Sequence, residues 1–256
     1  MSPVYDSQMD GGSGSGDTMS AIVSEAYRVF SSYSIGSRLR VCLCNVCMTE
    51  ETESALVATD LRHIPSGLLA EYTNSAHAWD DVVAGEFRYF LPRYLELIAE
   101  GDHPDHNGPE GCLRRLGYAN WRECWSQSEV DVLDRFFDRL VFEQASIATG
   151  HVWPRGWRLD HNFEDAFELA SSAGADVDRL FDSWWKAPDP QGAVQLAHQR
   201  SWHRRTSEGE RSDEVRVDAD VRIRSLLSAD RVTDRIRCAL ASTDDVNLQF
   251  VLESGL

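Results

Sequence analysis

Three of the six cysteines fall within six residues, Cys42-Leu-Cys44-Asn-Val-Cys47. Thiols this close can hold a soft or borderline metal ion, exchange electrons, or lie buried as small apolar side chains. A structural zinc site needs four ligands around a tetrahedron, and a CxxC turn supplies two of them. Cys44 and Cys47 form that pair, and Cys42 is a third. The remaining ligand would come from His63, His77, Cys112 or Cys124 downstream, although no second CxxC or HxxxH completes the pattern. Thiol-redox chemistry would require a thiolate at the positive end of a helix. Thr49 is placed to start such a helix, but Glu50, Glu51 and Glu53 oppose a thiolate there.

Other groupings of reactive side chains are weaker. Asp102-His103-Pro-Asp105-His106 offers imidazoles and carboxylates, yet on a Gly/Pro loop that fixes no geometry and reads as a solvated turn. Ser75 and His77 suggest a nucleophile and a base, without the GxSxG turn or oxyanion glycines such a pair works with. The run His198-Gln-Arg200-Ser-Trp202-His203-Arg204-Arg205 is basic and aromatic, and would meet phosphate, an acidic partner or the chain's own carboxylates. Trp121, Trp125, Trp153, Trp157, Trp184 and Trp185 could line a ligand pocket, but aromatic stripes at helical spacing are usually core. No GxGxxG, P-loop, HExxH or zinc-deaminase signature is present.

The elements that must position these residues read as helices. Ala26, Tyr27 and Phe30 mark the first, Thr49 caps a second containing Leu56, and Pro65 opens a third with Leu68, Leu69 and Tyr72. Phe87, Phe90, Leu91, Tyr94, Leu95 and Ile98 form a continuous stripe, with the helix either starting or kinking at Pro92. Residues 101–109 are a loop. Helical spacing returns at 132–141, 163–170, 177–185 and 192–200, and 206–213 is a polar loop. Val215, Val217, Ala219, Val221 and Ile223 alternate as a strand would, although helical neighbours on both sides favour a helix. Ser228 and Thr243 are expected to cap the last two helices. The fold expected is all-α, a multi-helix array with solenoid-like pairing as one arrangement. It forms a single domain over 20–256, with a subdivision near 150 as the alternative, behind a disordered Gly/Ser leader at 1–19.

Charge and composition restrict the partners. The 256 residues carry a net charge of −17, from 42 acidic against 25 basic groups, which disfavours nucleic acid as a ligand. No apolar run reaches the roughly 20 residues of a membrane span. Residues 1–20 lack the basic and apolar regions of a signal peptide, so a cytoplasmic chain with reduced thiols is expected.

Cys44-Asn-Val-Cys47-Met-Thr-Glu-Glu-Thr-Glu53, Leu61-Arg-His-Ile-Pro65, Phe87-Arg-Tyr-Phe-Leu-Pro-Arg93-Tyr-Leu-Glu-Leu97 and Leu116-Gly-Tyr-Ala-Asn-Trp121 together resemble a family of uncharacterised bacterial proteins. Those proteins carry an N-terminal CxxC running into an acidic helix, followed by a stretch close to FRHFLPR-x-LEL. The resemblance spans most of residues 24–140. It implies one soluble, mostly helical unit and singles out Cys44 and Cys47, with Cys42 additional to the pattern. It implies no activity and no catalytic residues. Asn45-Val46 stands where the family pattern has a proline, and Tyr89 where it has a histidine.

Two functional expectations follow from these features. The first is a non-enzymatic, acidic protein-binding protein. Its specific form is an immunity or inhibitor protein that occludes a basic toxin or a nucleic-acid-binding partner. The second is an enzyme that depends on the CxxC, by thiol-redox chemistry or through a metal. A structural zinc on Cys42, Cys44, Cys47 and one of His63 or His77 is compatible with either.

Overall fold

The computed structural model describes residues 18–44, 46–77, 80–153, 156–206 and 214–256. Residues 1–17 of the leader expected at 1–19 and residues 207–213 of the polar loop lie outside them, while Thr18 and Met19 already belong to the start of the first helix. Among the described residues the chain forms thirteen α-helices and one two-stranded hairpin, the all-α architecture expected. No described helix is long and apolar enough to cross a membrane.

The N-terminal half is built around two long helices. Helix α1 (Met19–Val29) starts where the Thr18 hydroxyl accepts the Ala21 amide, and it buries Ile22, Val23 and Ala26. Helices α2 (Glu50–Ala58) and α3 (Ser66–Asn74) follow, with Thr49 and Pro65 at their N-caps. Helix α4 (Asp81–Ala99) begins at the Asp80 cap and runs unbroken with Pro92 inside it. Its start at Asp81 removes the alternative of a beginning at Pro92. Val83, Phe87, Phe90, Leu91, Tyr94 and Leu95 of α4 are fully buried, because 3.6-residue spacing stacks them on one face.

Two short helices, α5 (Arg114–Tyr118) and α6 (Trp121–Cys124), lead into α7 (Gln127–Ala145). The Glu129 carboxylate accepts both the Ser126 amide and its hydroxyl, closing the first turn of α7. Packing is not a simple stack of chain neighbours: α1 lies against both α4 and α7, which closes the N-terminal half on itself.

Strands β1 (Gly150–Trp153) and β2 (Gly156–Leu159) pair antiparallel, Gly150 opposite Leu159. A side chain on Gly150 would collide with the Trp157 ring, so the hairpin needs glycine there. Helices α8 (Asn162–Ser172) and α9 (Val177–Trp185) bring Phe163 and Trp184 together with ring centroids 4.3 Å apart. Trp121, Trp125 and Trp184 are buried, as their spacing suggests. The Trp121 indole N–H donates to Ala173 O at 2.8 Å.

Helices α10 (Gln191–Thr206), α12 (Asp230–Ser242) and α13 (Val246–Gly255) pack on one another, with α11 (Glu214–Ser228) alongside α9, α10 and α12. The alternating segment at 215–223 is therefore helical. The expected caps move: Ser228 ends α11 and Thr243 ends α12, while Ala229 and Asp245 precede the next helices. The Asp245 carboxylate takes the Asn247 and Leu248 amides, which Thr243 does not reach.

Candidate metal centre

The cysteine loop is held from below by buried acceptors. Leu39 N donates to Glu53 Oε1 at 2.7 Å, and Arg40 N donates to both oxygens of Glu86 at 3.0 and 3.2 Å. Both carboxylates are buried, Glu53 at 1% exposure. Two consecutive amides thus end on carboxylates from two different helices. Cys42 N then donates to Ala76 O at 2.9 Å, and Cys47 N to Cys44 O at 3.2 Å. Met48 is buried in the core, and Thr49 Oγ1 accepts the Thr52 amide to start α2. The loop is fixed at both ends, while Val46 at its turn is 93% exposed.

On this frame the Sγ atoms of Cys42, Cys44 and Cys47 all lie within 4.8 Å of one another. None of the three is in a disulfide; Cys42 and Cys44 are exposed and Cys47 is half-buried. They lie close enough to hold a metal ion. Ligands at the usual Zn–S length of about 2.3 Å stand about 3.8 Å apart in a tetrahedron, a spacing of the same order as that of the three sulfurs.

The electrostatics of the three sulfurs differ. The backbone N–H groups of Val46 and Cys47 point at Cys44 and, with the neighbouring thiols, bring it down to about 7. Hydrogen bonding to Cys44 and Cys47 pushes the Cys42 thiol up. Glu53, expected to oppose a thiolate, faces away from the cluster: it bonds Leu39 N and pairs with Arg38 Nε at 2.9 Å.

The histidines lie elsewhere. His63 is exposed, with Nδ1 3.2 Å from Asp60 Oδ1. His77 is half-buried beside the loop, and its Nε2 donates to Tyr72 O at 2.9 Å. Its other ring nitrogen is buried near the Arg40 carbonyl without a well-formed hydrogen bond. Burial, followed by the charge of Arg115, pushes this imidazole down to about 4. Among the described residues the set of ligand side chains within one coordination sphere is Cys42, Cys44 and Cys47; His63, His77, Cys112 and Cys124 are not part of it. Cys112 is buried in the core and Cys124 is exposed at the end of α6.

The remaining groupings have structural partners. Asp102 accepts the Ser66 hydroxyl, His106 reaches Glu71, and Asn107 donates to Asn74, which ties the 101–109 loop onto α3. Ser75 donates to Glu71 O, so Ser75 and His77 make no nucleophile–base pair. The part sequence reasoning missed is the clamp. Glu53 reads in the sequence only as a carboxylate opposing a thiolate and Glu86 is not singled out; their place in helical turns beside apolar neighbours is the signal that they face inward. Comparison with family models, with curated proteins and with solved structures finds no match to this chain.

Proposed function

We propose that this chain is a thiolate metal-binding protein, with zinc held by Cys42, Cys44 and Cys47 on a non-enzymatic helical body in the cytoplasm. The observation that carries the reading is the mutual approach of the three sulfurs within 4.8 Å on a loop already fixed by backbone hydrogen bonds. Zinc suits the donor set, being d¹⁰, indifferent to ligand-field geometry and at home with thiolates. Alkylation of metal-free protein read by mass spectrometry tests it. One equivalent of zinc should protect Cys42, Cys44 and Cys47 together and leave Cys124 and Cys238 reactive. A Cys44–Cys47 disulfide formed readily in air, with no protection by zinc, would favour the CxxC-dependent enzyme instead.

The charge supports a second reading, which is compatible with the first. A surface carrying −17 favours a basic protein partner, and an immunity or inhibitor role against a basic toxin is the specific form. It requires a stoichiometric complex at low ionic strength that dissociates as salt rises. Native purification at low salt that yields no such basic partner would remove this reading.

A further inference from the structure

We propose that Cys42, Cys44 and Cys47 are also an oxidation site, at which a hydroperoxide joins two of the three sulfurs in a disulfide and the metal leaves. This rests on the metal-binding reading above and adds the condition under which the ion is released. The three Sγ atoms lie within 4.8 Å of one another, and the Cys42 and Cys47 thiols both donate hydrogen bonds to Cys44. An oxidised Cys44 therefore has a second thiol in reach on either side.

The trio is also open to an oxidant. Cys42 and Cys44 are exposed, and the turn between Cys44 and Cys47 projects Val46 into solvent. Cysteines that respond to peroxide share these two properties, solvent access and a neighbouring thiol that closes the disulfide. The frame survives the change. Leu39 N on Glu53, Arg40 N on Glu86 and Cys42 N on the Ala76 carbonyl hold the loop through backbone amides. These anchors use no cysteine side chain, so the loop keeps its place without the ion and a dithiol reductant can restore the site.

With hydrogen peroxide the chemistry balances in two steps. The Cys44 thiolate attacks one peroxide oxygen, the O–O bond breaks, hydroxide leaves and a sulfenic acid forms. The thiolate of Cys42 or Cys47 then attacks that sulfur, the S–S bond forms, the S–O bond breaks and a second hydroxide leaves. Both hydroxides take protons from solvent. Two electrons have passed from sulfur to peroxide, which ends as two waters. Zinc keeps its charge throughout. With two of these three thiolates withdrawn, the ion is lost to solvent, since the metal ligand is the thiolate.

The test treats zinc-loaded full-length chain with hydrogen peroxide and follows zinc release with a chromogenic chelator, beside intact mass and peptide mapping. Zinc should be lost in step with a mass lower by two hydrogens, the disulfide should map within 42–47, and dithiothreitol should restore zinc binding. Far-UV circular dichroism should stay unchanged through the cycle. In metal-free protein, Cys42→Ser and Cys47→Ser should each still form the disulfide, because either variant keeps two of the three sulfurs in reach. The double variant Cys42→Ser/Cys47→Ser should instead gain oxygen at Cys44. Zinc retained under peroxide that oxidises the exposed Cys124 overturns the proposal. So does zinc lost with added oxygen and no disulfide within 42–47, or with loss of the helical spectrum. A chain that takes up no zinc before peroxide is added overturns the metal-binding reading itself, and the release with it.

Discussion

Acidification should destabilise the fold through His77 in particular. In the folded chain burial and the Arg115 charge hold the imidazole at about 4, against an ordinary value of 6.5. Protonation would place a charged N–H at the buried ring nitrogen near the Arg40 carbonyl, next to the edge of the Tyr72 ring at 4.7 Å. The unfolded chain takes up the proton near pH 6.5 and the folded chain only near 4, so the unfolded state binds more protons in between. Stability from this group is complete above pH 6.5 and falls as pH drops through that window. The full difference corresponds to at most about 3.4 kcal/mol; the ring is only partly buried, and solvent screening brings the expected value to about 2 kcal/mol. For a chain of this length that is roughly 4–8 °C in melting temperature. The assay is thermal melting of metal-free protein, with chelator present, at intervals from pH 7.5 to 4.5, beside His77→Leu. Removing the imidazole leaves the Tyr72 carbonyl still served by Arg115 Nη2 at 3.0 Å, so the variant should fold. Carboxylate titrations are common to both proteins and cancel in the difference. Parallel decline of parent and variant across the window would refute the reasoning.

Three substitutions test the frame. Glu53→Ala leaves the buried Leu39 amide without an acceptor and should cost about 2–3 kcal/mol in urea unfolding, together with weaker zinc binding because the loop loosens; unchanged stability and affinity would count against the clamp. Trp121→Phe removes the hydrogen bond to Ala173 O and should cost about 1–2 kcal/mol by the same measurement, with a null result placing the contact outside the stabilising set. Gly255→Ala drives a methyl into Ala197 where α13 meets α10 and should cost about 1–3 kcal/mol, read as a lower melting temperature.

Much of this molecule is legible in its sequence because apolar periodicity and N-caps are local signals. The stripe from Phe87 to Ile98 and the Thr49 cap appear where their spacing places them. At 215–223 two periods overlap. Val221 is 57% exposed while Ile223 and Leu227, four apart, are buried, so the helical pair carries the packing and the alternation does not. Ser228 and Thr243 have the chemistry of caps, but Asp245 sits closer to the free amides of α13. The hairpin at 150–159 was hidden by its length: strands of four residues give alternation too little room to register. At the site, the thiol spacing shows in the sequence itself the three sulfurs that the fold brings together. Whether a histidine completes the set depends on how the end of α3 sits against the loop, and that is tertiary information.

The measurement that bears most directly on the metal-binding claim is metal content per chain in untagged protein, beside Cys44→Ser/Cys47→Ser. The account predicts about one zinc per parent chain and none in the variant. It also predicts that the variant melts close to metal-free parent, because the loop is anchored by Glu53, Glu86 and Ala76 and not by the ion. A parent chain that carries no metal and takes up none when zinc is supplied would contradict it.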